Sequence, residues 1–260
     1  MRLSVAEAGA GTCTPVVLLH GLFGAGRNFG AVQRALSATR RVLAPDLRNH
    51  GDSPRDARMD YAAMAADVAE TLRDHGARPA AVVGHSIGGK AAMMLALTDP
   101  AAVERLVVCD IAPAPSPGGL VAYVEALRAI PLRPGLARRD ADAALAPAIP
   151  EAGIRAFLLS NLVTGTGDAP PRWRVDLDAV AAAMPTLEGW EPPPPGARPY
   201  GGPTLVLRGG RSPYVRPEHE PLFRALFPRA RFATVEGAGH WVHADDPAGF
   251  LSAVGAFLDE

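Results

Sequence analysis

Short apolar runs that do not alternate with polar residues set the tightest limit on what this chain can fold into. Val16-Val17-Leu18-Leu19, Val42-Leu43-Ala44, Ala81-Val82-Val83 and Leu106-Val107-Val108-Cys109 are too short to be helices. Continuous apolarity calls for burial on both faces, which is the condition of a parallel strand covered by helices. Helical patterns fill the intervals. Tyr61, Met64, Ala65, Val68 and Leu72 share one helical face, and from Ile87 to Thr98 the apolar residues run all the way round, as in a helix buried in a core. This alternation predicts an open α/β fold with right-handed crossovers and a mostly parallel sheet of about eight strands with helices on both faces.

The rhythm breaks after Asp110. Pro113-Ala114-Pro115-Ser116-Pro117 reads as an extended exit, and four helical patterns follow with no strand between them: Leu120/Tyr123/Val124/Leu127, 137–146, Ile154/Phe157/Leu158/Leu162 and Leu177/Val180/Met184. Pro192-Pro193-Pro194-Pro195 closes the segment as a stiff stretch. A strand at Thr204-Leu205-Val206-Leu207, a helix near 217–227, a strand near 231–235 and a last helix restore the rhythm. Asp246 and Pro247 give that last helix its N-cap and first position.

Length and charge narrow the function classes. The 260 residues fit one large domain or one domain with an insertion. With 26 Lys+Arg against 27 Asp+Glu, no electrostatic footprint for nucleic acid or an anionic membrane exists. Two cysteines, Cys13 and Cys109, give no disulfide framework. The first residues lack the apolar region of a signal peptide, so a cytoplasmic location is expected.

Gly84-His85-Ser86-Ile87-Gly88 fits G-x-S-x-G between a strand and a helix. The flanking glycines permit a sharp turn that lifts the serine hydroxyl above the sheet edge. A glycine-rich turn with an incidental serine is the plainer reading. Gly84-x4-Gly89-Lys90 also resembles the front of a P-loop, but Ala91 stands where Ser or Thr would hold magnesium. Gly24-Ala25-Gly26 starts a dinucleotide loop that fails at Phe29.

A serine nucleophile needs a base, an acid that orients the base, and oxyanion donors. His20-Gly21-Leu22-Phe23-Gly24 follows a buried strand and offers a backbone N–H: Leu22 is the first choice, Phe23 the runner-up, and Ile87 supplies the second donor. Gly237-Ala238-Gly239-His240 places His240 as base in a late loop. His243, three residues on, raises a zinc reading with Asp245 or Asp246. The spacing is not the helical i, i+4 and the segment reads as loop, so no metal is expected and His243 packs or faces water. The loop after 204–207 has no acid, since Pro213 occupies the position where one is common. Asp110, ending the strand expected beside the one that feeds Ser86, takes the role instead; capping its own loop is the alternative.

With these residues assembled, the sequence resembles the α/β-hydrolases. The resemblance spans His20-Gly21, Asp46-Leu47-Arg48-Asn49-His50-Gly51-Asp52-Ser53-Pro54, the Ser86 turn, Asp110 and Gly239-His240, in the order Ser–Asp–His. More narrowly it is similar to small bacterial esterases of the YbfF type and their mitochondrial ABHD11-like relatives. That match rests on 47–51, 64–68, Gly84–Lys90, Asp110-Ile111-Ala112-Pro113 and Arg208-Gly209-Gly210-Arg211-Ser212-Pro213-Tyr214-Val215. It implies a core of residues 1–113 and 200–260, a helical cap of 114–199 inserted after the sixth strand, and an acid after that strand. Lys90 then belongs to the family pattern and is not a phosphate ligand.

The expected activity is hydrolysis of carboxylic esters or thioesters of small to medium acyl groups through an acyl-enzyme, with no cofactor and a small-molecule ester or thioester as the partner. Phe23, His85, Tyr123, Leu127, Phe157 and Trp241 are the expected substrate-binding residues; Tyr123, Leu127, Phe157 and Leu158 serve equally to hold cap to core. Arg133, Arg138 and Arg139 fit a solvated helix face better than a site for an anionic acyl carrier. A cofactor-free haloperoxidase would use the same three residues, and a non-hydrolytic ligand-binding or cyclase member of the fold would keep them. Oligomeric state is not legible. Asp110→Asn is expected to lower kcat for ester hydrolysis by orders of magnitude with the fold intact; near-normal turnover contradicts the assignment of Asp110.

Overall fold

The computed structural model describes residues 1–165 and 169–260. Its main sheet contains β1 (Val5–Ala8), β2 (Cys13–Leu19), β3 (Arg40–Pro45), β4 (Ala80–His85), β5 (Val103–Cys109), β8 (Thr204–Gly209) and β9 (Ala230–Val235). The spatial order is β1-β3-β2-β4-β5-β8-β9, and only the β1–β3 pair is antiparallel. The expected mostly parallel sheet is present, with seven strands among the described residues rather than about eight. Strand β5, which precedes the helical segment, is accordingly the fifth and not the sixth.

Both faces of the sheet are covered, which explains the unbroken apolar runs. Val16, Leu18, Val42, Ala44, Ala81, Val83, Val107 and Cys109 pack with Val32 and Leu36 of α1 (Gly30–Leu36) and Phe250, Val254 and Phe257 of α10 (Pro247–Leu258). The alternate residues, Val17, Leu19, Leu43, Val82, Leu106 and Val108, meet α2 (Tyr61–Asp74) and α3 (Ile87–Thr98) on the other face. Period-two geometry thus sends neighbouring apolar residues into two different cores. Asp60 caps α2 by accepting from Ala63 N–H, and Asp246 caps α10 by accepting from Gly249 N–H at 2.9 Å.

Between β5 and β8 lie α4 (Leu120–Arg128), α5 (Arg138–Leu145), α6 (Ala152–Leu159) and α7 (Leu177–Glu188). The four helical patterns are there, but the expectation of no strand is corrected. A short antiparallel pair, β6 (Leu162–Val163) with β7 (Arg172–Trp173), separates α6 from α7. Two residues per strand are too few to write an alternating pattern, so in the sequence Leu162 falls in with the α6 face, whereas the structure places it in β6. Arg138 is not merely solvated: its guanidinium donates to the carbonyls of Leu159 and Leu162. After β8 come α8 (Glu220–Leu226), β9, a single turn α9 (Val242–Asp245) and α10. Residues 242–245 are therefore helical, not loop. No helix among the described residues is long and apolar enough to cross a membrane.

Lys90 of α3 is fully buried, where its ammonium ties the helix carrying the G-x-S-x-G turn to the far end of α7. It donates to Ser116 Oγ at 3.0 Å and to the carbonyls of Glu188 and Gly189, at the negative end of the α7 dipole. Tyr61 lies beneath it, 5.6 Å from ring centroid to Nζ, and donates its hydroxyl to Leu187 O. These bonds take Lys90 out of any phosphate-binding role. Burial lowers its pKa to about 8, offset in part by the Glu188 carboxylate. Lys90→Met removes the donor to Ser116 Oγ and to the Gly189 carbonyl, leaves Glu188 O with Ser116 N–H alone, and is expected to cost about 1–3 kcal/mol of stability. Urea unfolding of the variant checks this, and an unchanged midpoint contradicts it.

Candidate active site

Among the described residues four non-glycine residues have positive φ: Phe23, Asn49, Ser86 and Asp110. Each follows the C-terminal end of a strand, β2, β3, β4 and β5 respectively, so the uncommon conformations gather along one sheet edge. Ser86 has φ 53° and ψ −123° and starts α3. A Cβ on Gly84 would lie 2.3 Å from the Gly88 carbonyl oxygen, and one on Gly88 would lie 2.4 Å from that of Leu19. Only glycine fits at either position, because backbone passes backbone there.

Strand β5 runs beside β4 in parallel, with His85 opposite Cys109, so Ser86 and Asp110 leave the same edge. The fully buried Asp110 carboxylate accepts three hydrogen bonds: Oδ1 from Gly209 N–H at 3.0 Å, Oδ2 from His240 Nδ1 at 2.7 Å and from the Ser212 hydroxyl. It orients the imidazole rather than capping its own loop. Ser212 and Tyr214 were missed by sequence reasoning. The loop after β8 was read for the acid it lacks; it supplies the hydroxyl that holds the acid from the neighbouring strand, and Tyr214, which stacks on His240 with centroids 3.8 Å apart. His240 Nε2 is left for other partners, and Ser86 Oγ has no hydrogen-bond partner among the described residues.

The turn after β2 distinguishes the two oxyanion candidates. Phe23 N–H donates to His50 Nε2 at 3.2 Å and its carbonyl accepts from the Asn161 amide at 2.7 Å, so both polar groups of Phe23 are occupied. Among the described residues, neither Leu22 N–H nor Ile87 N–H meets a protein acceptor. Two histidines fix this turn. His20 donates from Nδ1 to Gly21 O at 2.8 Å and accepts at Nε2 from Leu47 N–H, while His50 donates from Nδ1 to Arg48 O. Each ring is thereby held in one neutral tautomer.

A cavity of about 60 Å³ opens between these elements. Ser86, His240, Leu22, Phe23, His85, Tyr123, Phe157 and Trp241, all singled out from sequence, line it. Leu127 does not: it is fully buried, packed in the core on the inner face of α4. Tyr123 sits one turn earlier on the cavity side, and the sequence pattern alone did not separate the two faces. Ile87 is not part of the lining; it follows Ser86 as the first residue of α3. His85 donates from Nε2 to the His240 carbonyl at 2.8 Å, so it braces the loop of the base as well as lining the cavity. His243 packs rather than facing water, stacked on Phe29 with ring centroids 4.4 Å apart. No three His, Cys, Asp or Glu side chains among the described residues converge as a metal-binding group.

Burial is the main force acting on the histidines of this edge. It lowers His20 to about 3 and His243 to about 4, and holds His50 below and His85 well below the ordinary value; neighbouring imidazoles add to the effect at His20, His85 and His243. Above pH 6.5 such groups are neutral whether the chain is folded or unfolded and cost nothing. Below 6.5 the unfolded chain binds protons that the folded chain refuses, so stability falls with pH. Urea unfolding is expected to give a lower free energy at pH 5 than at pH 7, by about 2 kcal/mol for each of His20 and His243. Equal values at the two pH values contradict this account of the edge.

The arrangement has known counterparts. The model of a family described as "Alpha/beta hydrolase family" matches residues 16–253. The mouse protein named sn-1-specific diacylglycerol lipase ABHD11 is 45% identical over 258 residues, covering 96% of this chain and 82% of that protein. Esterase YbfF of Escherichia coli K12 is 36% identical, covering 95% and 94% respectively. A solved structure titled "Marine microorganism esterase" superposes with a TM-score of 0.92 at 30% identity, covering 98% of this chain and 99% of that one. The sheet order, the turn at Ser86 and these relatives lead to one conclusion: the chain belongs to the alpha/beta hydrolase family.

Proposed function

We propose that this hydrolase cleaves carboxylic esters or thioesters through an acyl-enzyme on Ser86. One observation carries the reading: Ser86 and His240 line the same cavity, the fully buried Asp110 holds His240, and the backbone N–H groups of Leu22, in the cavity lining, and of Ile87, next to Ser86, have no protein acceptor. The esterase and lipase names of the relatives support ester chemistry.

The steps follow from the geometry. His240 Nε2 takes the Ser86 proton as Oγ bonds to the substrate carbonyl carbon. The carbonyl oxygen becomes an oxyanion that accepts from Leu22 and Ile87 N–H, donors fixed before the reaction and worth about 3–4 kcal/mol each to the transition state. Asp110 keeps the Nδ1–H tautomer and steadies the imidazolium. The bond from the carbonyl carbon to the leaving oxygen or sulfur breaks as His240 returns the proton to that atom. A water then gives its proton to His240 and its oxygen to the acyl carbon; the bond from that carbon to Ser86 Oγ breaks as His240 returns the proton to Oγ, which releases the acid and restores Ser86. Residues 114–199 act as a cap in this reading, with Tyr123 of α4 and Phe157 of α6 walling the acyl site. His20 and His85, held neutral by burial, add no positive charge near the oxyanion site.

Exposure to a fluorophosphonate, followed by intact mass and peptide mapping, tests the nucleophile, with p-nitrophenyl ester turnover measured alongside. A single adduct on Ser86 that abolishes turnover is expected. Turnover that persists in the fully labelled protein, or an adduct at another residue, contradicts the reading.

A further inference from the structure

The catalytic cavity is small, yet it adjoins a much larger apolar groove of about 540 Å³ on the outer surface between α6 and α9. Asn28, Ile154, Phe157, Trp241 and His243 line both spaces, so the two adjoin across a shared wall. The Phe157 and Trp241 rings, with centroids 5.6 Å apart, meet in that wall. Beyond them the groove is bounded by Gly153 on one wall and Ala244 on the other, both exposed. Nothing in the proposed mechanism uses this outer space.

Stereochemistry at the reacting carbon says which half of a substrate the groove would receive. The carbonyl oxygen faces Leu22 and Ile87, and the leaving oxygen faces the ring that protonates it. One wall of the groove is Trp241, His243, Ala244 and Asp245, from the segment immediately after His240. Leu120 and Tyr123 line only the inner cavity. We propose that the outer groove binds the apolar chain of the alcohol half of the ester, and that the inner cavity takes the acyl half. The inference rests on the ester-hydrolase reading above and adds a substrate class to it: esters of alcohols carrying an alkyl chain. A buried methylene is worth about 0.8 kcal/mol, so chain length on the alcohol side is read as a selectivity.

Two ester series separate the halves. In the first, butyrate is held constant and the alcohol runs from methanol to octanol; in the second, methyl esters carry acyl groups from acetyl to octanoyl. For the wild-type protein kcat/KM is expected to rise at least about tenfold from methyl to hexyl butyrate, given the methylene value above. Gly153→Trp and Ala244→Trp each fill the groove from one wall, at positions open to solvent; a Cβ on Gly153 meets no atom within 4 Å. In either variant the hexyl-to-methyl ratio is expected to fall to about threefold or less, with the acyl series keeping its wild-type ratios. A flat alcohol series in the wild type overturns the proposal without recourse to any variant. Tryptophan variants that alter the acyl ratios instead also overturn it. Ser86 labelled by fluorophosphonate with no turnover of any alkyl ester overturns the proposal alone, whereas no labelling and no turnover refute the hydrolytic reading on which it stands.

Discussion

The backbone at Ser86 is the constraint on which the rest of the site depends. A non-glycine residue at φ 53° costs on the order of 1–3 kcal/mol and persists only where the surroundings over-determine it. Here they do. Ser86 N–H donates to Cys109 O at 3.1 Å, Gly89 and Lys90 N–H close the first turn of α3 on Ser86 O, and Gly84 and Gly88 let strand, helix and the end of β2 approach at backbone contact. The hydroxyl and the Ile87 N–H are delivered together by that one turn. Phe23, Asn49 and Asp110 repeat the device at neighbouring strand ends, so the sheet edge is a row of strained residues held by an ordinary core beneath.

Neutral histidines are the second structural theme. His20, His50 and His85 each use ring nitrogens to place a backbone segment: the turn after β2, the same turn from its other side, and the loop that presents His240. Imidazole suits the task because it donates at one nitrogen and accepts at the other within a buried space, and burial keeps it uncharged. The result is an edge with several histidines and one of them, His240, paired to a carboxylate.

The fold was legible where the sequence writes long signals. The residues of α2 and α3, the capped start of α10 and six strands were readable because apolar periodicity reports burial directly. Strand β1 was missed: Val5-Ala6-Glu7-Ala8 is a half-exposed edge strand, and its partly buried residues carry no distinctive pattern. At the candidate site, the sharp turn at Ser86 and the meeting of Asp110 with His240 were legible from the G-x-S-x-G spacing, the end of the strand before Asp110 and the late glycine-rich loop. The choice of Leu22 over Phe23 gains its physical basis only from His50, 27 residues away, which occupies the Phe23 N–H. Ser212 and Tyr214 act through contacts across 102 residues to Asp110 and 26 residues to His240, which no local pattern encodes. Leu127 shows the converse limit, since a helical pattern marks an apolar face without saying whether core or cavity lies against it.

The central claim is spatial: nucleophile, base and oxyanion donors converge on one carbonyl group. A crystal structure of the protein after reaction with a fluorophosphonate tests it most directly, because the bound phosphoryl group copies the tetrahedral intermediate. The account predicts phosphorus bonded to Ser86 Oγ, one phosphoryl oxygen within about 3 Å of both Leu22 N and Ile87 N, and His240 Nε2 beside the leaving position. A phosphoryl oxygen directed away from those two amides, with Leu22 N–H and Ile87 N–H still unoccupied, would contradict it.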